Sequence, residues 1–268
     1  LLDNMLYGRV LLRALGSRNI FSASTVDQFP KQLASGLMFG TATSVPVPDV
    51  DRTDHLMILG ANPLASNGSL MTAPDMRGRL RSLRARGCKI VGRDPRHSRT
   101  AEGADERHFI RPGTDAQLMF AMVHVLFDEG LAEASPEVQE ITDGIEDVRR
   151  LAQPFTPEAV GPVCGIEAHT IRRLARELAA APRAAVYGRI GTCTQEFGTL
   201  ASWLVDVLNL LSGNLDREGG AMFPKAAAGA VYKGLACAST PAGQMLYATN
   251  FRAGTVDVFD SSFNPVHK

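Results

Sequence analysis

Apolar residues in this chain fall into two rhythms, short unbroken runs and longer stretches recurring every three to four positions, which together predict strands alternating with helices. In residues 3–15, Leu6, Val10 and Ala14 lie four apart, giving a helix that Gly16 stops. Asn19-Ile-Phe21 reads as a short strand and residues 28–38 as a helix. His55-Leu-Met-Ile-Leu-Gly60 is an apolar run closed by glycine, the pattern of a strand buried in a parallel sheet. A loop over residues 61–71 leads to Thr72-Ala-Pro-Asp75, read as a helix start with a hydroxyl cap and proline in the first turn. Met76, Leu80 and Leu83 share the buried face of that helix, Gly87 closes it, and Lys89-Ile-Val91 is the next strand.

The same grammar repeats. His108-Phe-Ile110 reads as a strand, and Thr114-Asp-Ala-Gln117 has capping-box spacing. Leu118, Met122, Val125 and Leu126 form the helix's core face, with Gly130 as terminator. Residues 135–182 read as a helical insertion in which Ile171, Leu174, Ala175 and Leu178 make a stripe. Ala184-Ala-Val-Tyr187 is a strand, residues 188–196 a loop, and residues 197–211 a helix buried through Leu200, Leu204, Val207, Leu208 and Leu211. After Pro224 the alternation stops: Ala226-Ala-Ala-Gly-Ala230 is of low complexity, and residues 246–250 and 255–259 read as a hairpin around Arg252-Ala-Gly254. The expected fold is α/β, with open, mostly parallel sheets flanked by helices over residues 1–224 and a β-hairpin tail over 225–268.

Composition narrows the function classes. At 268 residues and 45% hydrophobic, the chain is long and apolar enough to bury a sizeable core. Lys+Arg and Asp+Glu balance at 28 each, so no net field recruits nucleic acid or an anionic membrane. No apolar stretch is long enough to span a bilayer, and residues 1–13 lack a signal-peptide layout. Cys88, Cys164, Cys193 and Cys237 are scattered, which suits a reducing, cytoplasmic setting and gives no local zinc or iron–sulfur spacing. The chain does not begin with Met, so it is expected to start partway through a longer protein.

In an open parallel sheet, ligands bind outside the carboxyl ends of the strands. Three loops leave such ends: Gly60-Ala-Asn-Pro63, Gly92-Arg-Asp-Pro-Arg96, and Gly188-Arg-Ile-Gly191 running on to Glu196. Glycine at these turns, and at Gly113, lets backbone approach a phosphate or an aromatic ring. Asp94 stands where ribose hydroxyls are gripped, or else caps the turn before Pro95. Arg93, Arg96 and Arg99 around it suit a pyrophosphate. Asp115, in Arg111-Pro-Gly-Thr-Asp115, falls in the first turn of a helix, where it favours the dipole and suits two N–H donors of a guanine edge. Neither GxGxxG nor a phosphate-loop lysine motif occurs, which disfavours an ordinary dinucleotide or ATP site. His97 and His108 flank this region, His124 reads as core edge and His169 as solvent-facing.

The run Asp94-Pro-Arg-His-Ser-Arg-Thr-Ala101, then Ala104-Asp105 and Ile110-Arg-Pro-Gly-Thr-Asp115, resembles the molybdopterin oxidoreductase family of formate dehydrogenases, nitrate reductases and dimethyl sulfoxide reductase. Leu59-Gly-Ala-Asn-Pro63, Tyr187-Gly-Arg-Ile-Gly-Thr192 with Gly198, and Leu208-Asn-Leu-Leu-Ser-Gly-Asn-Leu215 with Gly219-Gly220 continue the likeness, collinearly over residues 6–224. The resemblance implies bis-(molybdopterin guanine dinucleotide) carrying molybdenum or tungsten, and oxygen-atom or hydride transfer. It would place Asp94 on a ribose and Asp115 on its guanine. Asn62, Arg189, Gly191, Thr192 and Thr194 would meet the pterin and phosphates, with Gly60, Arg96 and Gly113 also among the cofactor-binding residues.

After the segment Asn19-Ile-Phe-Ser-Ala-Ser-Thr-Val26, Asp27 falls at the family's metal-ligating and catalytic position, with helix capping as the alternative role. A small-molecule substrate and an electron-transfer subunit or domain are the implied partners. The family's N-terminal region, the seat of any iron–sulfur cluster, and its C-terminal barrel are expected to be missing, so the piece is expected to be inactive alone. The alternative is a non-catalytic nucleotide-binding or assembly module. Val231-Tyr-Lys-Gly-Leu235 and residues 246–265 resemble instead one blade of a secreted β-propeller family, which implies a fusion near residue 225 or a divergent hairpin.

Overall fold

The computed structural model describes residues 2–19, 21, 24–71 and 73–223, and the backbone of four strands within 232–267. The chain divides into two compact units, Leu1–Phe223 and Pro224–Lys268. The first unit opens with helices α1 (Leu2–Ala14), α2 (Ser24–Asp27) and α3 (Phe29–Phe39) and a short strand, β1 (Val47–Pro48). Then come β2 (His55–Leu59), α4 (Pro63–Ser66), α5 (Met76–Ala85), β3 (Lys89–Arg93), α6 (Arg99–Glu102) and β4 (Glu106–His108). Five helices follow: α7 (Asp115–Asp128), α8 (Pro136–Glu140), α9 (Ile145–Ala152), α10 (Pro157–Cys164) and α11 (Ala168–Ala180). The unit ends with β5 (Ala184–Gly188), α12 (Ile190–Cys193), α13 (Gly198–Leu211) and β6 (Ala221–Met222).

The sheet order is β4-β3-β2-β5 with every pairing parallel, while β1 and β6 pair antiparallel beside it. All five side chains of β2 are buried because both faces are covered. Leu56 and Ile58 enter a smaller core with Met76, Leu80 and Leu83 of α5. Met57 and Leu59 enter a larger core with Leu118, Met122, Leu126, Leu174 and Leu208. The outer edge of β5 is closed by side chains: Asn209 Oδ1 accepts from Val186 N–H at 2.8 Å, Asn209 Nδ2 donates to the Val186 carbonyl at 2.9 Å, and Asn214 Oδ1 accepts from Ala184 N–H at 2.9 Å. Those ladder groups would otherwise stand buried and unpaired.

Several local expectations move. The strand expected over His108-Phe-Ile110 lies two residues earlier. It is an edge strand stabilised by charge, since Glu106 pairs with Lys89, Arg173 and His108, while Phe109 is exposed. Helix α5 starts at Met76, and its cap is Asp75, whose Oδ1 accepts from Gly78 N–H at 3.0 Å. The expected cap Thr72 lies outside the described residues, as does Ile20 in the expected strand 19–21. The capping box at Thr114 is not made: its hydroxyl donates backward to the Arg111 carbonyl at 2.6 Å. Residues 61–71 contain α4 and a short 3-10 turn rather than open loop.

In the second unit, β7 (Tyr232–Thr240), β8 (Gly243–Asn250), β9 (Thr255–Phe259) and β10 (Pro265–His267) form an antiparallel meander in the order β10-β9-β8-β7. The expected hairpin is the β8–β9 pair; its turn, residues 252–254, lies outside the described residues.

Candidate functional site

From β2 the chain steps to β3 and β4 on one side, then returns to place β5 on the other, so the topological switch falls between the carboxyl ends of β2 and β5. There two glycines meet backbone to backbone. Gly60 turns out of β2 at φ +54°, and Gly191 N–H donates to its carbonyl at 2.9 Å. A Cβ on Gly60 would lie 2.8 Å from the Gly191 backbone, and one on Gly191 2.7 Å from Gly60 Cα. Glycine is therefore required on both sides of this contact.

Around that contact the loops are tied by side chains. Asn62 Oδ1 accepts from the Thr100 hydroxyl at 2.7 Å and Thr100 N–H at 3.3 Å, fastening the β2 loop to α6. Buried Arg189 donates from Nε to Ser69 Oγ at 2.8 Å and from Nη1 to the Asp27 carbonyl at 3.3 Å, which brings α2 to the same place. The hydroxyls of Thr192 and Thr194 donate to the carbonyls of Arg189 and Ile190, both at 2.9 Å. Gln195 Nε2 donates to Asp115 Oδ2 and the Gly191 carbonyl, both at 3.0 Å, linking the β5 loop to α7.

The charged groups divide. Asp115 is 5% exposed; burial raises its carboxyl above the ordinary range, the Gln195 hydrogen bond opposes this, and the Asp94 charge adds to it. Asp94 Oδ1 accepts from Arg96 N–H at 3.0 Å, so it does hold the turn at Pro95, and the Arg96 side chain extends into solvent. Gly113 sits in the turn before α7 at φ +83°. Arg93 departs from expectation. As the last residue of β3, in phase with Val91, it runs into the protein on the α7 side rather than outward beside a pyrophosphate. It is 1% exposed, its three guanidinium nitrogens have no hydrogen-bond partner among the described residues, and burial pushes it down to about 10. Asp27 Oδ1 is also buried without a partner, and Gln28, not Asp27, stands at the N-cap of α3 without a side-chain cap.

Hydrogen bonds thus link Asp27, Arg189, Gly191, Gly60 and, through Gln195, Asp115, while Asn62 is tied to α6 and the hydroxyls of Thr192 and Thr194 serve their own turn. Asp94 acts on Asp115 through its charge, and Gly113 and Arg96 stand two residues along the chain from Asp115 and Asp94. Sequence reasoning missed Thr100, Ser69 and Gln195. Thr100 follows the cap Ser98, a usable signal, but nothing in the sequence marks Gln195. Among the described residues, no group of three or more His, Cys, Asp or Glu is placed to hold a metal ion, and no helix is long and apolar enough to cross a membrane.

The sheet order, with helices on both faces, puts the chain among the doubly wound α/β folds. It belongs to the molybdopterin oxidoreductase family, whose model matches residues 2–260. That match runs through the composition change near residue 225 and gives no support to a foreign C-terminal segment. The chain is 36% identical to the molybdopterin-containing subunit of thiosulfate reductase from Salmonella typhimurium, over 78% of this chain and 27% of the relative. It is 29% identical to formate dehydrogenase H of Escherichia coli, over 76% and 28%. Acetylene hydratase from Pelobacter acetylenicus has a similar structure, with a TM-score of 0.66 and 25% identity, over 86% of this chain and 30% of that one. The chain spans less than a third of the length of these relatives.

Proposed function

We propose that this chain forms the nucleotide-gripping part of a molybdenum or tungsten oxidoreductase and serves oxygen-atom or hydride transfer only within a longer enzyme. The observation that carries the reading is the network at the switch point. Two loops that meet at apposed glycines bring together a buried carboxylate at a helix start and a carboxylate oxygen, on Asp27, with no partner among the described residues. These features fit bis-(molybdopterin guanine dinucleotide). Gly60 and Gly191, by meeting backbone to backbone, bring the two strand-end loops close enough to face one cofactor, Asp115 accepts N–H donors of guanine, and Asp94 accepts ribose hydroxyls. Asn62, Arg189, Thr192, Thr194, Gly113 and Arg96 line the approach of pterin and phosphates. Asp27 supplies one hard carboxylate ligand, which suffices where the cofactor provides the rest of the metal's coordination. When bound, the cofactor supplies the redox chemistry; the protein orients it and sets the surrounding charge. A small-molecule substrate, an electron-transfer subunit or domain and a cytoplasmic setting complete the proposal.

A second reading, a non-catalytic module that keeps the fold, draws on the hydroxyls of Thr192 and Thr194 and on Asn62 Oδ1, all engaged within the chain. Purification from cells replete in the cofactor separates the two. Bound molybdenum or tungsten, with guanine nucleotide released by acid, is the outcome expected of the first. A metal-free protein would favour the second. Asp27→Ala in the full-length enzyme should alter the metal's spectra and abolish turnover; unchanged spectra and turnover would remove Asp27 from the proposal.

A further inference from the structure

We propose that Gln195 is a positioning residue that covers the Asp115 carboxylate and is displaced from it by guanine. This rests on the reading of Asp115 as the guanine contact. The Gln195 amide nitrogen carries two protons but lies within reach of three acceptors: Asp115 Oδ2 at 3.0 Å, the Gly191 carbonyl at 3.0 Å and the Thr192 carbonyl at 3.2 Å. Its oxygen, Oε1, is buried with no partner among the described residues. The side chain is thus oversubscribed at nitrogen and unserved at its buried oxygen, a poor arrangement for an amide.

Asp115 is buried whereas Gln195 is partly exposed, so the amide lies on the solvent side of the carboxylate. Guanine carries N1–H and N2–H side by side, two donors for one carboxylate, where Gln195 supplies one. Adenine sets an acceptor beside its amino donor and would turn a lone pair toward Asp115. Exchange of partners therefore favours guanine alone. It also releases the Gly191 and Thr192 carbonyls, loosening the turn seated on Gly60. Gln195 in this way couples the reading of a base at α7 to the freedom of the loop at the switch point.

The test uses the 268-residue chain, GMP as the probe and AMP as the control. Calorimetry gives affinity, and hydrogen exchange reports the amides of residues 191–196. Gln195→Ala, and Gln195→Asn, which keeps an amide too short to reach, should each bind GMP about tenfold tighter, the size of one hydrogen bond to a charged group. Both should show faster exchange in the loop without nucleotide, and GMP should raise that exchange in the wild type only. Equal or weaker GMP binding by both variants, with wild-type binding intact, overturns the displacement and leaves Asp115 as the base contact. GMP binding by none of the proteins, or unaltered binding by Asp115→Asn, overturns the Asp115 reading and the role of Gln195 with it.

Discussion

The two ends of the central sheet treat polar groups differently. At the amino end and outer edge they are closed within the chain: Arg183 pairs with Asp54 through two hydrogen bonds at 2.8 and 2.9 Å, Lys89 lies between Glu106 and Glu177, and Asn214 serves the first amide of β5. At the carboxyl end, Asp27 Oδ1, Gln117 Oε1, Gln195 Oε1 and the three Arg93 nitrogens lack partners. These are six of the eight such buried atoms among the described residues. Folding selects satisfied polar groups, so unsatisfied ones gathered at one end mark where another requirement competes with stability.

The contrast breaks most severely at a closed pair. Lys31 in α3 places Nζ 2.7 Å from both oxygens of Asp206 in α13, and both residues are buried. Lys31→Met leaves that carboxylate alone and should cost about 3–5 kcal/mol in denaturant unfolding, much of it recovered by adding Asp206→Leu. Next comes Gly60→Val, which meets both a positive φ and the Gly191 backbone. It should lower stability by about 3 kcal/mol and abolish GMP binding.

His55, at the amino end, is the exception there, buried with Nε2 unpartnered. Burial lowers it to about 4, so the folded protein keeps it neutral while the unfolded chain takes up a proton below the ordinary value of 6.5. Stability should therefore fall as pH drops from 6.5 toward 4, by roughly 2 kcal/mol at pH 5, and the slope over that interval should flatten in His55→Leu. The smallest effect belongs to the open end. Asp27→Asn replaces a carboxylate whose buried Oδ1 has no partner among the described residues and should leave the unfolding free energy of this chain unchanged or raise it by up to about 1 kcal/mol, while the metal's spectra in the full-length enzyme change. A clear loss of stability would show that Asp27 is structural.

Legibility in the sequence follows the kind of force involved. Apolar burial was readable: the run His55–Leu59 is the central strand, and Leu118, Met122, Val125 and Leu126 are all buried on α7. The two-residue shift to Glu106–His108 was not, because that edge strand is held by ion pairs, while of the apolar pair after it Ile110 is buried and Phe109 exposed. Capping chemistry misled at Thr114, whose hydroxyl prefers the Arg111 carbonyl. At α5, Asp75 caps and the signal lay in Gly78, where a Cβ would sit 2.0 Å from Asp75 Oδ2. The glycine-bearing loops of the site were legible because sheet topology dictates where they gather. Gln195 was not, since its partners lie 80 residues away and within its own turn. Arg93 was misjudged because neighbouring residues of a strand face opposite sides, and its side chain follows Val91 inward.

The strand order has a consequence for synthesis. β2 has β3 as its neighbour on one side, but its other edge stays open until Gly188 has left the ribosome. Until then, a five-residue apolar ribbon offers unpaired amides and carbonyls to any passing strand, the situation that invites misassembly. A nascent chain halted before β5 should be captured by a chaperone that binds extended apolar segments, whereas one halted at residue 268, with β5 clear of the ribosome, should escape it.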